Sequence, residues 1–276
     1  MLINWQFIRE VGPLRWVLRY SVRQFRKRVL RRDCTLRLPT GLTMVLPRQS
    51  TSATEVYLTR ANTDWGSEAI FTSFAVSTRD FLDIGSHIGY YAAYLSPRVR
   101  HVYAFEPNPR ILPDLYRTSA LSPNIEVIEM AVSSTDGTET FFAGAGTAVG
   151  SLENVGGDPV TVPVTTIDTF VSRHPGIDVG LIKTDIEGHD LEALRGMVAT
   201  VARFQPLVLT ECDDLQGLRA LCRDWNYNIF GATRHTRSRK PAFLDFTLSI
   251  SDLHPHKMLF LVPESLQPAF EGISLC

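Results

Sequence analysis

The sequence is poor in cysteine, in long apolar segments and in net charge, and each shortage excludes a class of protein. Its 276 residues include four cysteines: Cys34, Cys212, Cys222 and Cys276. They form no CxxC pair and no metal-ligand spacing, so free thiols in a reducing compartment are expected. No segment supplies the roughly 18 consecutive apolar residues of a membrane span. Arg9 and Glu10 interrupt the stretch that most resembles a signal-peptide core, and a cytoplasmic protein is therefore expected.

The charged residues nearly cancel over the whole chain but not along it. The 28 lysines and arginines against 29 aspartates and glutamates give a formal net charge of -1. The chain thus lacks the positive field that nucleic-acid binding requires, and no polynucleotide substrate is expected. The first 32 residues nevertheless hold a single acid, Glu10, and nine basic residues. These are Arg9, Arg15, Arg19, Arg23, Arg26, Lys27, Arg28, Arg31 and Arg32.

This basic segment, residues 1–33, is predicted to contain an amphipathic helix. From position 14 onward apolar side chains recur at helical spacing, and most basic ones fall on the other side. The apolar positions are Leu14, Val17, Leu18, Val22, Phe25 and Val29. Two interpretations stay open. Either the apolar strip packs on the protein and the arginines face water, or residues 12–32 dock on an anionic membrane surface or a partner.

After this helix in the chain, the sequence predicts a hairpin and helical lead-in over residues 34–78. A main domain is predicted over residues 79–276. With 44% hydrophobic residues the chain can bury one sizeable core. Strands are predicted at 80–84, 101–106, 125–130, 179–184 and 206–211, and helices near 88–97, 109–121, 188–203 and 215–225. Repeated βα units imply an α/β fold with a doubly wound, mostly parallel sheet. An inserted hairpin or flap is predicted over residues 133–166.

In such sheets ligands lie beyond the carboxyl ends of the strands, where this sequence places acids. The acids at these strand ends are Asp83, Glu106, Asp185 and Glu211. The first of these strands leads into a turn bounded by Gly85 and Gly89, and a bare backbone there lets a ligand approach closely. Glu106 follows Gly89 by 17 residues and ends the next strand. A carboxylate there suits the two hydroxyls of a ribose, so a nucleoside site is predicted.

Two classes of nucleoside cofactor remain open on these residues. A dinucleotide enzyme would typically show G-x-G-x-x-G, but Ser86 follows Gly85 and the glycine spacing is wider. Asp83 is an unfavourable neighbour for a diphosphate and a favourable one for a cationic amine and sulfonium. The residues therefore favour a sulfonium cofactor over NAD or NADP.

Three segments together resemble the FkbM family of methyltransferases. They are Phe81-Leu-Asp-Ile-Gly-Ser-His-Ile-Gly-Tyr-Tyr91, Ala104-Phe-Glu-Pro-Asn-Pro109 and Ile182-Lys-Thr-Asp-Ile-Glu-Gly-His-Asp-Leu-Glu-Ala-Leu-Arg-Gly196. The resemblance covers residues 35–265. It implies a Rossmann-like class I methyltransferase sheet of seven strands with a reversed final strand, S-adenosylmethionine as cofactor, and methyl transfer to a hydroxyl of a sugar, glycan or secondary metabolite. Ser86-His87 stands where the family usually has Ala-Asn, and Asp190 where it often has Glu.

Site residues follow from the motifs and the resemblance together. The expected cofactor-binding residues are Asp83, Gly85, Ser86, Gly89, Glu106, Pro107, Ala131 and Asp185. The proton acceptor is expected in the segment 183–189. The first hypothesis makes His189 the general base, with Asp185 orienting it or the cofactor, and the alternative lets Asp185 or Glu187 act directly.

Alternatives remain for both the metal and the activity. Asp185 and Glu211 end adjacent predicted strands and offer hard oxygen ligands for Mg²⁺, although the resemblance does not require a metal. The other activities considered are a nicotinamide-dependent oxidoreductase and an inactive nucleoside-binding module docked by its basic helix. Acceptor specificity is expected to depend on residues 133–166, the N-terminal segment and residues 231–256.

Overall fold

A sheet of eight strands forms the centre of the computed structural model, which describes residues 8, 11–143, 150–152, 158–234, 241–247 and 256–273. The strands are β1 (Cys34–Arg37), β2 (Thr43–Leu46), β3 (Asp80–Ile84), β4 (Val102–Phe105), β5 (Ile125–Ile128), β6 (Ala131–Val132), β7 (Gly137–Ala143), β8 (Gly150–Ser151), β9 (Asp158–Thr165), β10 (Val179–Thr184), β11 (Leu207–Thr210), β12 (Tyr227–Arg234), β13 (Pro241–Asp245) and β14 (His256–Pro263). The five predicted strands are confirmed to within two residues at each end.

Helices cover both faces of this sheet. They are α1 (Pro13–Arg28), α2 (Thr51–Thr59), α3 (Ser67–Ser73), α4 (Tyr90–Leu95), α5 (Leu112–Ser119), α6 (Ile167–Arg173), α7 (Asp190–Arg195), α8 (Val198–Phe204), α9 (Leu215–Trp225) and α10 (Gln267–Glu271). The single helix predicted over 188–203 is two short helices, because α7 ends at Arg195 and α8 begins at Val198, with Gly196 and Met197 between them.

The strand order confirms the doubly wound fold. Strands β5, β4, β3, β10 and β11 lie side by side and parallel. Strand β14 runs antiparallel beside β11, and β12 pairs with its other edge. The reversed final strand is therefore present, and β13 adds an eighth strand at the edge. The chain continues from β3 to β4 on one side of it, and β10 later lies on its other side. The strand order therefore reverses at β3, and the switch point, where ligands bind in such sheets, lies at the carboxyl end of β3.

Apolar side chains fill both faces of the sheet. All five residues of β3 are buried, and Phe81 packs into one apolar cluster while Leu82 packs into the other. This is the pattern of a parallel strand covered by helices on both sides. The cluster around Phe81 includes Leu36 of β1 and Met44 of β2, so the predicted lead-in hairpin shares the core of the sheet.

A smaller sheet carries the insertion predicted over residues 133–166. Strands β7 and β9 pair antiparallel along their length, β6 pairs with β9, and β8 pairs with β7. The hairpin prediction is confirmed for these strands. Residues 144–149 and 153–157 of the insertion lie outside the described residues, as do 235–240 and 248–255 of the predicted specificity region 231–256.

Helix α1 packs on α2 with Arg19 and Arg23 inward and most of its aliphatic side chains outward. Arg23 is fully buried and donates to the carbonyl oxygens of Leu46 at 3.0 Å and Pro47 at 2.6 Å. Arg19 donates to the carbonyl oxygen of Leu58 at 2.5 Å. The outward apolar side chains are Leu14, Val17, Leu18, Val22, Phe25 and Val29. The interpretation that the apolar strip packs on the protein is therefore wrong, because carbonyl oxygens at this surface require hydrogen-bond donors.

Candidate active site

A cavity of about 450 Å³ opens at the carboxyl ends of β3, β4 and β10, where the strand order places a ligand site. Its lining includes Glu55, Asp64, Gly85, Ser86, His87, Glu106, Pro107, Ala131, Phe141, Ser151, Lys183, Asp185, Glu187, His189, Glu211 and Lys257. The predicted site residues thus lie together around one cavity, except Asp83 and Gly89, which are not among its lining residues.

Asp83 lies behind the cavity wall, where its carboxylate holds the turn between β3 and α4 together. Its Oδ2 accepts hydrogen bonds from Ser86 Oγ at 2.7 Å and from the amide of Ala92 at 3.0 Å. Lys183 Nζ lies 3.8 Å from Oδ1. These internal partners satisfy a fully buried carboxylate, which needs donors nearby, and the contact of Asp83 with a cationic cofactor stays a prediction.

The two glycines of this turn are each required by a different close approach of neighbouring atoms. Gly85 has φ +72°, and a Cβ there would lie 2.1 Å from the carbonyl oxygen of Asp185. Its bare backbone therefore lets the ends of β3 and β10 meet. Gly89 has φ +80°, and a Cβ there would meet Thr118 at 2.7 Å and Leu115 at 2.9 Å. Gly89 thus permits α4 to pack on α5, away from the cavity.

Glu106 follows β4 and has both carboxylate oxygens fixed by backbone donors. The amide of His87 donates to Oε2 and the amide of Asn108 donates to Oε1, each at 2.9 Å. Burial raises the pKa of Glu106 to about 7, although these two hydrogen bonds oppose the rise. Each carboxylate oxygen retains a further lone pair, so from the cavity wall Glu106 can accept two more hydrogen bonds.

At the end of β10, Asp185 is held between a cation and a neutral acid. Lys183 Nζ lies 3.2 Å from Asp185 Oδ2, and it donates to the carbonyl oxygen of Gly85 at 2.9 Å. Glu211, after β11, is hydrogen-bonded to Asp185. Burial and the Asp185 charge raise the pKa of Glu211 to about 9. Burial alone would raise the pKa of Asp185, but Lys183 and the Glu211 hydrogen bond bring it below its ordinary value.

His189 and Glu187 occupy the wall beyond Asp185. Nε2 of the buried His189 ring lies 2.9 Å from Ser133 Oγ, immediately after β6. Glu187 has φ +51°, and burial together with the charge of Asp185 raises the pKa of its carboxyl group. The structure therefore brings the three predicted catalytic residues to one cavity, with the His189 ring engaged by Ser133.

The opposite wall holds polar residues that the sequence analysis did not single out. Tyr91 donates its hydroxyl to Asp64 Oδ2 at 2.7 Å, and burial, with the nearby charge of Glu68, raises the pKa of Asp64 to about 7. Lys257 Nζ donates to Glu55 Oε1 at 3.2 Å and to the carbonyl oxygen of Thr63 at 2.7 Å. Asp64 lies in the short segment between α2 and α3, and an acid within the predicted helical lead-in was the signal available for it. No local sequence pattern predicts the contact between Lys257 and Thr63, which are 194 positions apart.

The magnesium alternative concerns two carboxylates of the cavity lining, Asp185 and Glu211. No group of three or more histidine, cysteine, aspartate or glutamate side chains in the described part of the chain is arranged to hold an ion. Asp185 and Glu211, the pair considered for Mg²⁺, are instead joined to each other by a hydrogen bond.

Comparison with known families identifies the chain. The sequence profile described as the Methyltransferase FkbM domain matches residues 83–229. The chain belongs to the FkbM methyltransferase family. The match begins at Asp83 and includes Glu106, Asp185 and Glu211, so the strand-end acids of the cavity all lie inside the family domain. The resemblance noted in the sequence is confirmed, and the oxidoreductase alternative loses its basis.

This FkbM family member is also similar to individual proteins. The hexuronic acid methyltransferase AglP of Haloferax volcanii is 31% identical over 116 residues, which are 42% of this chain and 48% of AglP. The chain thus spans about half the length of this curated relative. Among solved structures, the FkbM methyltransferase of Methylobacillus flagellatus KT is 17% identical with a TM-score of 0.45, over 76% of this chain and 54% of that one. The precorrin-6y C5,15-methyltransferase of Geobacter metallireducens GS-15 is 12% identical with a TM-score of 0.40, over 70% and 84%.

Proposed function

We propose that this protein is an S-adenosylmethionine-dependent O-methyltransferase that acts on a hydroxyl group of a sugar or glycan. The observation that carries the proposal is a single cavity lined both by Glu106, a carboxylate suited to a ribose, and by Asp185, a carboxylate suited to a hydroxyl acceptor. Membership in a methyltransferase family supports the reaction type. The hexuronic acid methyltransferase relative supports a sugar acceptor.

The residues around the cavity fit this cofactor. The Glu106 carboxylate is anchored by two backbone amides and has lone pairs left for the two ribose hydroxyls. Gly85 and Ser86 present backbone with little side-chain bulk at the end of β3, where the amino-acid end of the cofactor would lie. Pro107 and Ala131 supply apolar walls for a flat base. A volume of about 450 Å³ lies within the usual range for small-molecule sites.

When bound, the cofactor supplies a methyl group on a positively charged sulfur, which is already an activated electrophile. The protein must then align the acceptor oxygen and take up its proton. We assign the proton to Asp185, whose side chain is 35% exposed and kept ionised by Lys183 and by the hydrogen bond from Glu211. His189 is assigned to supporting the β6 wall through Ser133. This assignment exchanges the roles of the first sequence-based hypothesis, in which His189 was the general base and Asp185 the orienting residue.

A polar acceptor suits the wall formed by α2, the loop before α3 and the start of β14. Asp64, Glu55 and Lys257 place two carboxylates and an ammonium on the cavity surface. Groups that both donate and accept hydrogen bonds are what a polyhydroxylated ring requires. The Lys257 ammonium, 26% exposed, offers a charge partner for the carboxylate of a hexuronic acid.

The first test measures cofactor choice by isothermal titration calorimetry with S-adenosylhomocysteine, NAD and NADP. We expect binding of S-adenosylhomocysteine alone, its loss in Glu106→Ala, and its retention in Glu126→Ala, which removes a partly exposed glutamate on β5. Binding of NAD or NADP, or of none of the three, would contradict the proposal.

The second test measures transfer of a labelled methyl group to hexuronic acid-containing glycans, neutral hexosides and a phenolic acceptor. Label in an ether on the sugar supports the proposed acceptor class. Label only in the phenol contradicts the acceptor class while leaving the cofactor assignment standing. Activity is measured with and without prior chelation, which tests the magnesium alternative separately.

A further inference from the structure

Helix α1 presents a strip of apolar side chains to the outside of the protein. Leu14 is 86% exposed, Leu18 67% and Phe25 53%. They follow one another at helical spacing, with Val22 and Val29 between and beyond them, so the strip is continuous along the helix. Contiguous exposed apolar surface of this kind marks an interaction site.

The basic side chains on the opposite side of α1 fix this orientation. The Arg23 guanidinium is satisfied by the carbonyl oxygens of Leu46 and Pro47 in the interior. Trp16 and Tyr20 stack on each other with ring centroids 4.6 Å apart, and both pack against the main core. Rotating the helix to bury its apolar strip would remove these contacts and leave buried carbonyl groups without donors.

Positive charge borders the strip on both sides. A helical repeat of 3.6 residues puts Arg15 and Arg26 along one border and Arg28 along the other. All three are exposed, and no carboxylate among the described residues lies within salt-bridge distance of them. The sequence has no acidic residue between Glu10 and Asp33. A surface that complements the strip is therefore negatively charged and has an apolar interior beneath the charges.

We propose that α1 docks flat on an anionic lipid bilayer, with the strip among the upper acyl chains and the bordering arginines against the headgroups. The helix has 16 residues, and within the described part of the chain no helix combines the length and apolar character needed to cross a bilayer. An amphipathic helix with arginines at the border and Leu and Phe on the apolar side has the composition of an interfacial helix. The proposal does not depend on the methyltransferase assignment.

The test is co-sedimentation of the full chain with vesicles of phosphatidylcholine alone and of phosphatidylcholine mixed with phosphatidylserine. We expect binding to the anionic vesicles only, released by high salt. The double substitution Leu18→Ser/Phe25→Ser is expected to weaken binding at least about tenfold. Arg15→Gln/Arg26→Gln is expected to weaken it roughly fivefold for each arginine.

Two matched control variants distinguish binding through this surface from nonspecific binding to vesicles. Val76→Ser/Val198→Ser removes two exposed apolar side chains elsewhere, and Arg98→Gln/Arg203→Gln removes two exposed arginines elsewhere. Both controls should bind like the wild type. Every variant is checked for unchanged thermal unfolding, because the substituted side chains are solvent-exposed and contribute little to stability.

Three outcomes would overturn the proposal. The first is no sedimentation with anionic vesicles at low salt, and the second is equal binding to both kinds of vesicle. The third is a lipid-independent dimer in analytical ultracentrifugation that Leu18→Ser/Phe25→Ser dissociates, which would assign the strip to a second copy of the chain.

Discussion

Glu211 and Asp185 share a hydrogen bond across the ends of the neighbouring strands β11 and β10. The two acids carry one negative charge between them, because the pKa of Glu211 is raised to about 9 by burial and by Asp185, while that of Asp185 is lowered. Lys183, 3.2 Å from Asp185, balances this charge. The pair thus presents one ionised carboxylate to the cavity throughout the neutral pH range.

Glu211→Gln should retain activity, because glutamine is a neutral donor like the protonated acid. We expect kcat within about fivefold of wild type for Glu211→Gln and a loss of roughly tenfold or more for Glu211→Ala. Above about pH 9 the wild type should lose activity as Glu211 ionises beside Asp185, whereas Glu211→Gln should not. The same loss of activity at high pH in both proteins would contradict the sharing of one proton between Glu211 and Asp185.

Asp185→Asn and His189→Ala separate the two candidates for the proton acceptor. We expect Asp185→Asn to lower kcat by about 100-fold or more, the usual size of a lost general base. His189→Ala should stay within about tenfold, since its ring is engaged by Ser133. Steady-state kinetics and S-adenosylhomocysteine titrations on both variants distinguish lost chemistry from lost binding. The opposite ranking would restore His189 as the base.

Cofactor binding should strengthen as the pH rises through neutrality. Burial raises the pKa of Glu106 to about 7, so the carboxylate that accepts ribose hydroxyls is largely neutral below this pH and ionised above it. If only the ionised form accepts both hydroxyls, Kd for S-adenosylhomocysteine should fall about tenfold between roughly pH 6 and roughly pH 8. Calorimetry on Glu106→Gln, which does not titrate, should show weaker and pH-independent affinity.

Gly85→Ala should be far more harmful than Gly188→Ala, although both glycines have positive φ. A methyl group at Gly85 would lie 2.1 Å from the Asp185 carbonyl oxygen, whereas nothing lies within 4 Å at Gly188. Gly188→Ala should cost about 1–2 kcal/mol from backbone strain alone. Gly85→Ala should cost at least about 3 kcal/mol and abolish cofactor binding. Urea unfolding of the two variants makes the comparison, and equal losses would refute the steric argument.

Arg23→Met should loosen α1, whereas Arg26→Met should not. Arg23 is buried among carbonyl oxygens, so its loss leaves those groups without donors, at roughly 2–3 kcal/mol. Arg26 is exposed, and its replacement should change stability by about 0.5 kcal/mol or less. Thermal unfolding and limited proteolysis of the N-terminal segment report the difference. Equal protease resistance would contradict the anchoring role of Arg23.

The sheet and most of the cavity wall were predictable because they depend on local patterns. Buried strand segments, the glycine turn and strand-end acids such as Glu106 and Asp185 follow from periodicity and from the rule for parallel sheets. The inward side of α1 was not predictable, because it depends on distant carbonyl groups: those of Leu46 and Pro47 accept from Arg23, and that of Leu58 in α2 accepts from Arg19. Lys257 contacts Glu55 and Thr63 from 202 and 194 positions away, and the placement of Asp83 behind the turn depends on donors from Ser86 and Ala92.

Helix α2 contacts α1 on one side and lines the cavity on the other. Its width therefore contributes to the distance between α1 and the place where the reaction would occur. Leu58 and Thr54 receive the arginines of α1, while Ser52, Glu55 and Val56 face the cavity. Two stacked helices, each about 10 Å across, thus separate the proposed bilayer contact from the acceptor wall. An acceptor anchored in the same leaflet would meet the cavity by lateral diffusion, and a soluble acceptor would gain nothing from the attachment. If α1 docks as proposed, the arrangement would favour acceptors confined to the same surface.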